Sequence, residues 1–270
     1  HVFEAGSDVG GTWFWNRYPG ARVDIESQEY SFSFSKELEE EWQWSERYAP
    51  QGELLDYANH IADRFDLRRD ISFNTRVESA SYDDHTGLWR IMTDHGETIE
   101  ARYCVMATGC LSAAKTPDIP GAGTFKGETL STATWPGGTD LTGKRVGIIG
   151  TGSSGIQSIP LIAEQAEQLT VFQRTPNFSV PAQQEPLAPE SVREHKDNFA
   201  ELRQMARDSA FGIAWESTAN SALDATPDER EAVYDERWRN GGTAFLVAYA
   251  DLITSKESND TARDFFHAKI

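Results

Sequence analysis

The stretch RVGIIGTGSSGIQ, residues 145–157, decides the fold. Arg145 to Ile149 reads as a strand, Gly150 to Gly155 match the spacing G-x-G-x-x-G, and a helical pattern follows from about Ser154 to Gln168. Gly150 permits the tight turn, Gly152 lets backbone approach a pyrophosphate, and Gly155 lets helix pack on strand. Free amides at the helix start supply positive potential for the anion. A second strand, Leu169 to Gln173, ends in Phe172-Gln173-Arg174-Thr175. An acidic side chain there would take the hydroxyls of a bare ribose, whereas a guanidinium pairs with a phosphate dianion. The unit therefore reads as a site for NADP(H) rather than NAD(H).

The beginning of the chain offers the opposite choice. His1 to Glu4 is an apolar strand ending in glutamate, as the second strand of another dinucleotide fold ends, and its carboxylate suits the ribose of an adenine nucleotide such as FAD. The glycine fingerprint that belongs upstream of such a glutamate is absent from the sequence. The chain opens at His1 directly in this run and stops at Ile270 inside a charged helical pattern, which reads as a piece of a longer protein.

Composition bounds the partners. With 270 residues, 39% of them hydrophobic, the chain can bury a real core, and its formal charge of −18 repels a phosphate backbone or an anionic membrane face. No apolar run reaches the roughly 18 to 20 residues of a spanning helix; the longest, Ala244 to Ile253, is interrupted by Tyr249 and Asp251. The two cysteines, Cys104 and Cys110, suit free thiols better than a disulfide framework, and no signal peptide precedes them. The expectation is a cytoplasmic protein without nucleic-acid or membrane partners and without a metal.

Between the two nucleotide signals, Leu54, Leu55, Ala58, Ile61, Ala62 and Phe65 recur at helical spacing over 53–67. Alternating runs at Ile71 to Val77, Glu78 to Tyr82, Leu88 to Thr93 and Thr98 to Tyr103 read as a small antiparallel excursion, and Tyr103 to Ala107 as a buried strand. Residues 115–143, rich in Pro, Gly and Thr, mark a junction. The reading is an α/β protein with two dinucleotide-binding, Rossmann-like domains. Residues 1–130 form a partial FAD domain. Residues 131–270 form the NADP domain, with a helical extension from about 186 whose patterns cover 190–209, 227–239 and 243–256.

One stretch, GGTWFWNRYPGARVD (10–24), fits the signature [A/G]-G-x-W-x-x-x-x-[F/Y]-P-[G/M]-x-x-x-D at Gly10, Gly11, Trp13, Tyr18, Pro19, Gly20 and Asp24. That is the longer signature of the type I Baeyer–Villiger monooxygenases, which the chain resembles along essentially its whole length. The family's shorter signature, F-x-G-x-x-x-H-x-x-x-W-[P/D], is matched by residues 125–136 except that Ser131 stands where the family has histidine. The resemblance is to the branch of phenylacetone and cyclohexanone monooxygenases.

That resemblance implies FAD and NADP as cofactors and a small-molecule ketone and O2 as substrates. Glu4 would hold the FAD ribose, and Thr12, Trp13, Trp15, Asp24, Tyr30 and Val77 would line the flavin site. Arg22 and Asp24 would approach the nicotinamide; Gly150, Thr151, Gly152, Ser153, Ser154, Gly155, Ile156 and Gln157 would hold the rest of NADP with Arg174 and Thr175. Large rigid aromatics suit that role because they exclude water from a planar ring. Asp24 would be the catalytic charge, bracing a flavin-side arginine that lies beyond Ile270. The activity implied is insertion of one oxygen atom beside a ketone carbonyl by the full-length parent, with the 270 residues alone binding FAD poorly. Ser131 cannot carry an imidazole's charge and points to weaker coupling of NADPH oxidation to oxygenation. The rival readings are an N- or S-oxidising flavin-containing monooxygenase, a reductase or oxidase that no longer oxygenates, and a non-catalytic NADP-binding module.

Overall fold

Alternation of apolar and polar residues marks the strands between residues 77 and 101, and helical spacing marks the chain after residue 189. In the computed structural model, which describes residues 1–270 except 112, 216, 217 and 219, the first elements are strand β1 (Val2–Phe3) and helices α1 (Thr12–Trp15), α2 (Lys36–Glu41) and α3 (Gln51–Arg64). Strands β2 (Ile71–Ser72), β3 (Val77–Asp83), β4 (Leu88–Thr93) and β5 (Thr98–Ala101) come next, followed by β6 (Arg145–Ile149), helix α4 (Ser153–Gln165) and β7 (Gln168–Phe172). Helices α5 (Pro189–Asp197), α6 (Phe199–Asp208), α7 (Pro227–Asn240) and α8 (Lys256–Lys269) follow. The protein is thus mixed α/β. It forms two units, residues 1–21, 50–146 and 157–169 in one and residues 22–49, 147–156 and 170–270 in the other.

In the first unit β1 pairs with β2 in parallel, Val2 opposite Ile71 and Phe3 opposite Ser72. A parallel pair needs a crossover, and α3 lies within it. This helix buries Leu54, Tyr57, Ile61 and Ala62, the stripe expected of its spacing. Strands β3, β4 and β5 form an antiparallel sheet in which Ile91 and Thr93 face inward while Arg90 and Met92 face out.

The helical part of the second unit closes on its own core. Tyr234, Phe245, Ala248, Tyr249, Leu252, Ala262 and Phe266 are buried in one cluster, with Tyr234 stacked on Phe245 at 5.3 Å between ring centroids. Helix α7 starts with a capping box, Thr226 and Glu229 each bonding the other's backbone, and with Pro227 in its first turn. Asp251 ties the cluster's loops together, accepting hydrogen bonds from Ser221 Oγ (2.6 Å), Ser258 Oγ (2.5 Å) and the Ala222 amide (3.0 Å). Those hydroxyl bonds hold its carboxyl below the usual range. Among the described residues no helix is long and apolar enough to cross a membrane.

Several sequence expectations are corrected. Tyr103 to Ala107 is not a buried strand: it has no regular structure, and Tyr103 and Val105 are 80% and 87% exposed. A strand needs a neighbour to take its amides and carbonyls, and none of the described strands pairs with this run. The run Ile71 to Val77 is not one strand: β2 ends at Ser72 and β3 starts only at Val77, because Asn74 at φ 53° leaves the extended region. The pattern over 243–256 is a 3-10 turn, Thr243–Val247, and the helix begins at Lys256, where Ser255 Oγ accepts the Ser258 amide. The 190–209 pattern is two helices parted at Asn198.

Candidate cofactor-binding residues

The glycine turn behaves as its sequence implies. Strands β6 and β7 are neighbours, and the Gly150 amide donates to the Phe172 carbonyl at 2.9 Å. Gly150 sits at φ 102°, a conformation side chains avoid. A Cβ on Gly155 would lie 2.6 Å from the Gly150 carbonyl oxygen, whereas one on Gly152 would meet nothing within 4 Å. The loop is therefore closed where helix meets strand and open where an anion would approach. The first turn of α4 carries no acidic residue, so its amide dipoles are not neutralised locally.

Two residues that the sequence does not mark as part of the site pin this loop. Gln173 Nε2 donates to Thr151 Oγ1 at 2.8 Å, and Asn177 Nδ2 to the Thr151 carbonyl at 3.4 Å. Their signal was the polar run after β7, in which only Arg174 and Thr175 stand out by residue type. Gly152, Ser153, Arg174 and Thr175 are exposed and Thr151, Ser154 and Gly155 partly so; Ile156 is 42% exposed. No described carboxylate lies within ion-pair distance of Arg174, which leaves its guanidinium available to an incoming phosphate.

In the first unit, Glu4 stands at the carboxyl end of β1. Its amide donates to the Ser72 carbonyl at 3.0 Å, and its Oε1 accepts the Gly6 amide at 2.6 Å, which orients the carboxylate. A Cβ on Gly6 would lie 3.0 Å from Glu4 Oε1, 3.2 Å from Phe14 and 3.3 Å from Trp15, so strand end and aromatic stretch close on one glycine. Gly10 and Gly11, at φ 118° and 50°, turn the chain into α1, which holds Thr12, Trp13 and Trp15. Gln51 Nε2 bonds the Trp13 carbonyl, and Trp15 packs edge-on against Phe14 at 5.0 Å. Val77 opens β3 two residues after Thr75, whose amide donates to the Glu4 carbonyl at 2.9 Å. Gln157 lies in the same unit, and its Oε1 accepts the Tyr18 hydroxyl at 2.9 Å.

The other candidates at the flavin and nicotinamide, Arg22, Asp24 and Tyr30, lie in the second unit. Arg22 is 3.9 Å from Glu46, Asp24 is exposed just after buried Val23, and Tyr30 ends the 3-10 turn Ser27–Tyr30. Ser27 anchors this segment: its hydroxyl donates to the Glu46 carbonyl at 2.8 Å and accepts the Ala49 amide at 2.7 Å. Beyond Tyr30 the chain lines a cavity of about 20 Å³ with Gln28, Ser31, Glu39, Trp44, His195 and Phe199, room for a water and not for a ligand. Burial pushes the Glu29 carboxyl up, against the pull of Arg203, and pushes the His195 imidazole down. Ser131 Oγ accepts the Ala133 amide at 3.3 Å, capping the turn Thr132–Thr134, a job a hydroxyl can do.

A match to the pyridine nucleotide-disulphide oxidoreductase family spans residues 20–211, more than two thirds of the chain. The chain belongs to that family. A Baeyer-Villiger monooxygenase of Pseudooceanicola batsensis is 44% identical over 99% of this chain, and the phenazine N-monooxygenase PhzNO1 of Lysobacter antibioticus is 41% identical over all of it. A solved structure described as an oxidized steroid monooxygenase bound to NADP superposes with a TM-score of 0.94 at 55% identity, covering 99% of this chain and 51% of that one. The resemblance carried by residues 10–24 thus holds: within the pyridine nucleotide-disulphide oxidoreductases, this chain is kin to the Baeyer–Villiger flavoprotein monooxygenases. It spans about half the length of the curated relatives it matches, 50% for both of those named.

Proposed function

We propose that the protein is an NADPH- and FAD-dependent monooxygenase that inserts one atom of dioxygen beside a ketone carbonyl, giving an ester or lactone. The observation that supports this best is the joint presence of two differently charged strand ends. Glu4 closes β1 with its carboxylate fixed by Gly6, and Arg174 follows β7 with no described carboxylate to pair with. These suit the plain ribose of FAD and the 2′-phosphate of NADP respectively. Kinship with Baeyer–Villiger enzymes adds the reaction class.

On this reading the chain holds two Rossmann-like domains, one of them incomplete here, divided near residue 130. Exposed Tyr103, Val105 and Met106 then belong to a strand whose neighbours lie in the half of the relatives that this chain does not span. The open face at Gly152 and the unneutralised start of α4 receive the NADP pyrophosphate, with Thr151 held ready by Gln173 and Asn177. Thr12, Trp13, Trp15, Tyr30 and Val77 flank the flavin and keep water from it, and Gln157 and Ile156 belong to the helix that carries the nucleotide. When bound, FAD supplies the electron relay from NADPH to dioxygen. Asp24, an exposed carboxylate beside Arg22 in sequence, orients a cation next to that ring.

The test is turnover of the full-length protein with a cyclic or aryl ketone, NADPH and 18O2. One labelled oxygen per molecule of ester is the expected result. NADPH consumed with hydrogen peroxide as the sole product refutes the proposal. A second reading, oxygenation of a heteroaromatic nitrogen, has the 41% identity to a phenazine N-monooxygenase behind it, and an N-oxide from phenazine in place of an ester would establish it.

A further inference from the structure

We infer that Tyr18 and Gly20 are positioning residues for the dinucleotide, acting through Gln157 on the helix whose first turn receives it. This inference rests on the proposed function in one respect, that α4 carries NADP. Tyr18 Oη donates to Gln157 Oε1 at 2.9 Å, across 139 residues of sequence, and both groups are partly buried. Two residues further on, Gly20 at φ 80° leaves no room for a side chain: a Cβ there would overlap the Gln157 carbonyl oxygen and lie 3.3 Å from Leu161 Cδ1. The aromatic stretch thus grips one residue of α4 by its carboxamide and by its main chain.

The site of the grip has a mechanical reason. Pro160 lies inside α4 and has no amide to donate to the carbonyl of Ile156, so the helix lacks one rung of its own ladder at that turn. A helix with a missing rung bends or shifts there unless something outside holds it. Tyr18 and Gly20 supply that hold, at Gln157 and Leu161, within one turn of the proline. The glycine loop and the first amides of α4 lie immediately before this turn, so their aim at a pyrophosphate depends on it. Loss of the hydrogen bond misdirects the amides while leaving the strand end at Arg174 as it was.

The experiment titrates NADP+ and, separately, 2′-AMP into the wild-type chain, Tyr18→Phe, Gln157→Leu and the double variant, with thermal melts to show that each is folded. 2′-AMP carries the phosphate that Arg174 would hold but lacks the pyrophosphate. One hydrogen bond of ordinary strength corresponds to a loss of about 2- to 10-fold in NADP+ affinity. Each single variant should show that loss, the double should lose no more than either, and 2′-AMP binding should be unchanged in all four. Equal NADP+ affinity in wild type and Tyr18→Phe overturns the inference, as does a parallel loss for 2′-AMP, which indicates general loosening. A wild-type chain that binds neither nucleotide sinks the NADP reading itself and this inference with it.

Discussion

The helical cluster around Tyr234 and the sheet of β6 and β7 are held by opposite means. In the cluster, eight residues between Ala222 and Phe266 are buried together, polar groups are tied by Asp251, and the helices are capped by Thr226 and Ser255. In the sheet, Ile149 and Phe172 are 72% and 56% exposed, and order comes from the glycine turn and the hydrogen bonds that pin it. The first region is made by burial and the second by backbone chemistry. The glycine turn can therefore be well defined while the strands under it keep apolar faces open.

The sharpest way to break this comparison is to cut the same aromatic from both regions. Phe245→Ala removes a buried ring that Tyr234 stacks on and should cost about 3–5 kcal/mol in urea unfolding. Phe172→Ala removes a ring already more than half exposed and should cost less than about 1 kcal/mol. Equal losses would show that the sheet is buried in solution and the contrast false.

Backbone chemistry is tested next at Gly155→Ala. Its Cβ would stand 2.6 Å from the Gly150 oxygen, so about 1–3 kcal/mol of stability and at least about tenfold in NADP+ affinity should be lost together. A Gly152→Ala chain of unchanged stability that nevertheless loses NADP+ completes the contrast, because its methyl has space in the protein but would stand on the face proposed to take the pyrophosphate.

Smaller effects separate the polar ties. Ser258→Ala should cost about 1–2 kcal/mol at neutral pH, since one of the two hydroxyls holding Asp251 is gone. The Asp251 pKa is lowered by folding, so its contribution is present above the unfolded carboxylate value of about 3.9 and is lost as pH falls through the folded one. Ser258→Ala should flatten that acid limb in a stability–pH series. His195 is also lowered, by burial, so stability falls as pH drops below about 6.5, and His195→Gln should remove that slope. An unchanged slope would place the titrating group elsewhere.

The legible parts of the sequence were those whose signal is local. GTGSSG announced its turn, the spacing of Leu54, Ile61 and Ala62 announced α3, and the alternation over 77–101 announced the antiparallel sheet. The failures have a common physical root in partners distant along the chain. Tyr103 to Ala107 has a strand's composition but no neighbour among the described residues to complete it, and 243–256 carries helical spacing that burial in the cluster serves without a helix. Asn74 broke its strand through a single positive φ. Within the candidate site, Glu4, Arg174 and the glycines are proposed from residue type and place alone. Gln173, Asn177 and the Tyr18–Gln157 contact cannot be, because side-chain hydrogen bonds across 22 to 139 residues leave no periodic trace.

A cationic strand end after β7 that selects a phosphorylated ribose must discriminate between the two nicotinamide dinucleotides. Calorimetric titration of NADP+ and NAD+ into the wild-type chain and into Arg174→Gln tests it most directly. The expected result is a preference for NADP+ of about tenfold or more, in keeping with a charge-assisted pair, collapsing to near parity in the variant. Equal binding of the two dinucleotides by the wild-type chain, or a preference that survives Arg174→Gln, would contradict it.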